Sequence, residues 1–120
     1  MKENLMKKIN MALILGSLLL VSSQAFAHPP SDIKIQLNLT AQTLNAVVEH
    51  HVSNPMAHYI KQVDIGLNGK KIKKLTFKKQ EDNASQSIEI KIPKVKKGDI
   101  LSVTAYCKLN GQLEKKVTVS

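Results

Sequence analysis

"VDIGLNGKKIKKLTF", residues 63–77, is the stretch that decides the fold. Val63, Ile65 and Leu67 alternate with polar or small residues up to Asn68-Gly69. This is the period of a strand running into a two-residue hairpin turn. Ile72 to Phe77 then reads as the return strand. The same period recurs outward in both directions. Ile33, Ile35, Leu37 and Leu39 form one apolar face, and Leu44, Ala46, Val48 and His50 the next. After the polar Glu81-Asp82-Asn83 loop come Ile88, Ile90 and Ile92. A lysine-rich turn from Pro93 to Asp99 follows, then Leu101, Val103, Ala105 and Cys107 on one face. Asn110-Gly111 reads as a second tight turn, and Leu113 to Val119 as the last strand. No helical stretch, repeat or linker interrupts the series. About seven short strands at this spacing predict an all-β, antiparallel β-sandwich of immunoglobulin-like type.

The residues before the strands read differently. Lys2, Lys7 and Lys8 precede an apolar run from Met11 to Val21, and Ala25-Phe26-Ala27 supplies small residues for a peptidase. That order is the order of a secretory signal peptide. The apolar run falls short of the roughly 20 residues a membrane span needs. The expectation is a signal peptide over 1–27, cleavage after Ala27, and a single mature domain over 28–120. The product would be periplasmic or secreted, with no stable membrane insertion once cleaved.

Composition narrows the partners. The chain carries 18 lysines, no arginine, nine acidic residues and a formal net charge of +9. Arginine supplies the bidentate fork that phosphate recognition favours, and only 3% of residues are aromatic, too few for a base-stacking platform. The lysines, spread over turns and strand faces, therefore read as a solvated surface and not as a nucleic-acid site. They would still attract small anions over a distance. The one cysteine, Cys107, can close no disulfide within the chain. It is a buried small hydrophobe, a thiol pairing between chains, or a metal-bound thiolate.

Three of the four histidines, His50, His51 and His58, lie within nine positions around Asn54-Pro55. His28 opens the mature chain. His50 and Cys107 each end a strand on its inward face, where the loops of a sandwich gather. Imidazoles and a thiolate brought to one such end suit iron, zinc or copper, whereas calcium and magnesium take oxygen ligands.

Two segments carry a family resemblance. "NPMAHYI", residues 54–60, resembles the His-Pro-Met and His-Tyr-Ile segment of superoxide reductases and desulfoferrodoxins. "AYCKLNG", residues 105–111, resembles that family's Tyr-Cys-Asn-Leu-His-Gly. The resemblance implies an immunoglobulin-like iron domain in which four histidine nitrogens and one axial cysteine sulfur hold a ferrous ion. It implies His58 and Cys107 as ligands. Asn54 and Asn110 stand where two family histidines would be, and the desulfoferrodoxin Cys₄ domain is absent. "HPPSD" at His28 matches the family's first histidine segment in part, and His50 lies four residues before Asn54 with the same strand parity. The whole pattern also resembles small exported desulfoferrodoxin-like proteins. The expected metal ligands are accordingly His28, His50, His58 and Cys107. A free α-amino group on His28 would add a nitrogen and favour copper.

Three functions follow as expectations. The first is an exported, mononuclear non-haem iron protein that reduces superoxide to peroxide by one electron, served by a separate electron donor. The second is a copper or iron carrier without turnover. The third is a metal-free β-sandwich binding module, since a fold by itself does not specify a function.

Overall fold

The computed structural model describes residues 28–120, so the expected signal peptide over 1–27 lies outside the described residues. Seven strands follow one another without a helix: β1 (Asp32–Asn38), β2 (Thr43–Glu49), β3 (Ile60–Leu67), β4 (Lys70–Thr76), β5 (Ser85–Lys91), β6 (Ile100–Cys107) and β7 (Gln112–Thr118). They form a three-stranded sheet, β1-β2-β5, and a four-stranded sheet, β4-β3-β6-β7. All pairings are antiparallel. The chain changes sheet between β2 and β3, between β4 and β5, and again between β5 and β6. The architecture is the β-sandwich that the alternating pattern predicts.

The alternation sets which face is inside. Ile33, Leu44, Ala46 and Val48 from the first sheet meet Val63, Ile65, Leu101, Val103 and Ala105 from the second, all buried. Each fully buried Val, Leu or Ile contributes roughly 1.5–3 kcal/mol relative to an exposed one. Apolar burial on this scale holds the domain, as a chain with one free thiol requires. β4 lies at the edge of its sheet and carries Lys70, Lys71, Lys73 and Lys74. Charge on an edge strand discourages pairing with another chain's edge.

The two expected turns differ. At the β3–β4 hairpin Asn68 and Gly69 both adopt positive φ, 52° and 83°, the backbone of a tight two-residue turn. The β6–β7 connection is longer than a two-residue turn: β6 ends at Cys107, β7 begins at Gln112, and Gly111 alone in it has positive φ, 82°. The turn is closed by the Cys107 N–H on the Gly111 carbonyl at 3.0 Å. Lys108 donates its N–H to the Tyr59 carbonyl at 2.9 Å, which draws the end of β6 toward the loop that carries His58.

At the opposite end of the sandwich Asp99 organises the turn before β6. It accepts hydrogen bonds from Lys96 Nζ (2.8 Å), the Lys96 N–H (2.9 Å) and Asn68 Nδ2 (3.1 Å). The Lys96 ammonium and these further donors hold its carboxyl down at about 2. A depressed carboxyl contributes stability that is complete above its unfolded value of 3.8 and is lost as the pH falls toward about 2. Asp99→Asn should therefore unfold more readily in urea than the parent at neutral pH. The difference should shrink steadily below pH 3.8. Urea midpoints measured across that range check both parts.

Candidate metal centre

The antiparallel register brings four separated segments to one end. Asp32 pairs with Glu49, so the start of β1 and the end of β2 lie side by side, with His28 just before one and His50 just after the other. Ile60 pairs with Cys107, so His58, two residues before β3, stands beside the end of β6. The loop between β2 and β3 is pinned: His50 N–H donates to the Ala84 carbonyl and Val52 N–H to the Asn83 carbonyl. At Asn54-Pro55 the chain turns, with Asn54 Oδ1 accepting from Met56 N–H at 3.0 Å and the Asn54 carbonyl from His58 N–H at 2.9 Å. That turn presents His58 to the interior.

The outcome is a cluster of three imidazoles. One ring nitrogen from each of His28, His50 and His58 lies within 4.8 Å of the others. Ring centroids are 4.7 Å apart for His50–His58, 4.9 Å for His28–His50 and 5.2 Å for His28–His58, all edge-on. Cys107 is buried, and its Sγ is 3.2 Å from His58 Nε2. Two donors placed about 2.1 Å (nitrogen) and 2.3 Å (sulfur) from one ion at a right angle would be about 3.1 Å apart. The donors that lie close to one another are those of His28, His50 and His58, and Cys107 meets the group through His58. His51 is exposed and contributes only its carbonyl, which accepts from His28 Nε2 at 2.9 Å. Asn54 and Asn110 are exposed.

One residue escaped sequence reasoning. Gln80 is 2% exposed and forms the floor behind His50. Its Nε2 donates to two carbonyls, those of His50 at 2.7 Å and Asp82 at 2.9 Å. Both amide hydrogens are thereby used, so Gln80 Oε1 must face His50 Nδ1, which donates to it at 2.8 Å. His50 Nδ1 therefore carries a proton, and Nε2 faces the cluster. Its polar neighbour there, the His28 carbonyl at 3.2 Å, is another acceptor. In "KKQEDN" nothing marks Gln80 as different from its polar neighbours. Its role comes from a contact 30 residues away in sequence.

Electrostatics keep His58 in its binding form. Burial pushes the His58 imidazolium below its ordinary pKa, and the nearby His50 and His28 add to the effect. His58 is therefore neutral at physiological pH. The cluster is open on one side, since His28 and His58 are partly exposed while His50 is fully buried. Lys108 stands near that side, its Nζ 5.1 Å from the centre of the Tyr59 ring.

Gly111 ties the thiol to His28. Its carbonyl accepts the Cys107 N–H at 3.0 Å. A Cβ on Gly111 would come 2.7 Å from Pro29 Cβ and 3.2 Å from Pro29 Cα. Only glycine lets the β6–β7 turn lie this close to the residue after His28.

No family model matches the chain, and no curated protein matches it. Solved structures do. A superoxide reductase (neelaredoxin) from Ignicoccus hospitalis superposes with a TM-score of 0.55 at 20% identity, covering 75% of this chain and 79% of that one. A second structure of the Ignicoccus hospitalis protein gives 0.50 at 21%, covering 82% and 85%. The likeness is one of fold.

The Gln80 clamp makes a prediction. Gln80→Met, similar in length, would leave His50 Nδ1 and the buried His50 carbonyl without this partner, and would remove the bond to the Asp82 carbonyl. It should cost about 2 kcal/mol of apo-protein stability, as buried polar groups left unpaired typically do. Metal affinity should fall roughly 10–100-fold, the usual effect of losing the group that orients a ligand histidine. Thermal melts and metal competition titrations on the same variant check the two effects separately.

Proposed function

We propose that the chain is an exported mononuclear metal protein of superoxide-reductase type, with iron held by His28, His50, His58 and Cys107. The observation that carries this reading is the group of three imidazoles, with His50 fixed in it by Gln80 and a thiol 3.2 Å from one of them. Mixed nitrogen and thiolate donors fit ferrous iron, which prefers neither an all-oxygen nor an all-sulfur set. The fold likeness to superoxide reductase structures supports the same reading.

Ferrous iron held in this set would supply the single electron that reduces superoxide to peroxide. The chain's own residues have three tasks. His50, fixed by Gln80, anchors the buried side of the centre, while His28 and His58 close it toward solvent. Cys107, as a thiolate, contributes negative charge that favours the oxidised state of the ion and release of the anionic product. The lysine-rich surface, Lys108 among it, raises the local concentration of an anionic substrate. With one cysteine in the whole sequence there is no second thiolate-bound centre, so electrons come from a separate donor.

The test is to prepare the protein from His28 onward, load it with Fe(II) anaerobically, and pulse it with superoxide. Stoichiometric peroxide without oxygen release, with appearance of a thiolate-to-metal charge-transfer band, is the expected result. Tight binding of copper with no reaction with superoxide would replace this reading with that of a carrier. A colourless protein that binds neither metal would leave a sandwich with structural histidines.

A further inference from the structure

We infer that the α-amino group of His28, freed by cleavage after Ala27, is itself a ligand and completes the centre with a fourth nitrogen. This rests on the metal-binding reading above and identifies a donor that no side chain supplies. The first observation is the position of the main chain. The carbonyl oxygen of His28, not only its ring, is 3.2 Å from His50 Nε2. The nitrogen and carbonyl oxygen of one residue are separated by three bonds of about 1.46, 1.52 and 1.23 Å, so they are never more than about 4 Å apart. The nitrogen of residue 28 therefore lies within about 7 Å of His50 Nε2, on the segment that borders the cluster.

The second observation is how firmly that end is held. Ser31 donates its N–H to the Glu49 carbonyl at 2.8 Å, Pro30 is buried, and Pro29 lies against Gly111. Two prolines in succession restrict the backbone between His28 and this anchor. The main chain of His28 is thus delivered to the site by the same turn that holds Cys107.

The third observation is the donor count. Among the described residues, the group of side chains able to share an ion with His50 is three histidines, beside the Cys107 thiol. Asn54 is exposed with its side-chain oxygen taken by Met56 N–H, and Asn110 is exposed on the β6–β7 turn. Neither supplies a fourth nitrogen from its present position.

Chemistry separates the processed chain from the precursor at this atom. In the precursor the nitrogen of His28 is an amide, whose lone pair is delocalised into the preceding carbonyl, and it is a poor donor. After cleavage it is a primary amine, whose lone pair is free to bind a metal ion. Amine and Nδ1 of one histidine close a six-membered ring with a metal ion. The next residue, Pro29, has no N–H, so a deprotonated backbone amide cannot take the place of the amine. Export and processing would then create the high-affinity site, and the uncleaved chain would hold metal weakly.

The test compares three proteins: one starting at His28, one with Gly-Ser-Gly added before it, and one whose His28 amine has been converted to a carbonyl by N-terminal transamination. The added residues precede His28 and its hydrogen bonds, and the transaminated chain keeps its length, so both variants should melt as the parent does. Fe(II) and Cu(II) affinities are measured by competition, with the electronic and paramagnetic resonance spectra of the loaded proteins. Both variants should bind at least tenfold more weakly and show a spectrum with one nitrogen fewer. Equal affinity and unchanged spectra in the two variants, with tight binding in the parent, would overturn the amine as ligand and leave the side-chain site standing. Failure of the parent itself to bind either metal would overturn both.

Discussion

Cys107→Ser should abolish the thiolate charge-transfer band and most of the metal affinity while leaving the sandwich folded. Cys107 is 4% exposed, it pairs through β6 with Ile60, and its Sγ is 3.2 Å from His58 Nε2. Serine is nearly the same size, and its hydroxyl can hydrogen-bond His58 at the same place. The apo protein should therefore lose only about 1 kcal/mol, the scale of one altered buried polar contact. A metal sees a different group. A hydroxyl is not deprotonated at neutral pH, so the ion loses an anionic sulfur and gains at best a neutral oxygen. Metal content, visible spectrum and thermal midpoint measured on one preparation separate ligation from packing. Full metal retention with an unchanged spectrum would falsify a thiolate ligand.

His50→Ala should be the most damaging of the histidine changes. It removes a fully buried ring, opens a cavity, and leaves Gln80 Oε1 with no donor in a buried position. Losing the polar partner costs about 1–3 kcal/mol before the cavity is counted. Removing a ligand should lower metal affinity by more than the roughly 10–100-fold expected for its outer-shell partner. The informative companion is the double change Asn54→His with Asn110→His, which restores histidine where the superoxide-reductase pattern has it. Both asparagines are exposed, and the Asn54 side chain caps the turn that presents His58. The double variant should therefore fail to rescue His50→Ala and should loosen the His58 turn. Rescue of affinity in the triple variant would show that the site is the family's own, with asparagine as a mere gap.

Much of this was legible in the residues because a strand's pattern is local. The period of two in Ile33–Leu39, Val63–Leu67 and Leu101–Cys107 states which face is inside, and Asn68-Gly69 states where the chain reverses. The same parity directs His50 and Cys107 inward, so a cluster of imidazoles and a thiol at one end was a fair expectation. The length of the β6–β7 turn was not legible. Asn110-Gly111 has the local signature of a two-residue turn, whereas the chain closes a wider one, with the Cys107 N–H on the Gly111 carbonyl.

By itself the sequence determined the sandwich, its strand boundaries to within a few residues, and which side chains face the core. Those depend on solvent exposure at a period the chain carries locally. Only the tertiary structure decided which polar residues meet. Gln80 reaches His50 across 30 positions, Gly111 makes room for Pro29, and the His28 carbonyl comes to His50 Nε2. Each of these depends on strand register and loop path, which are settled by the packing of the whole domain and leave no trace in the residues around any one of them.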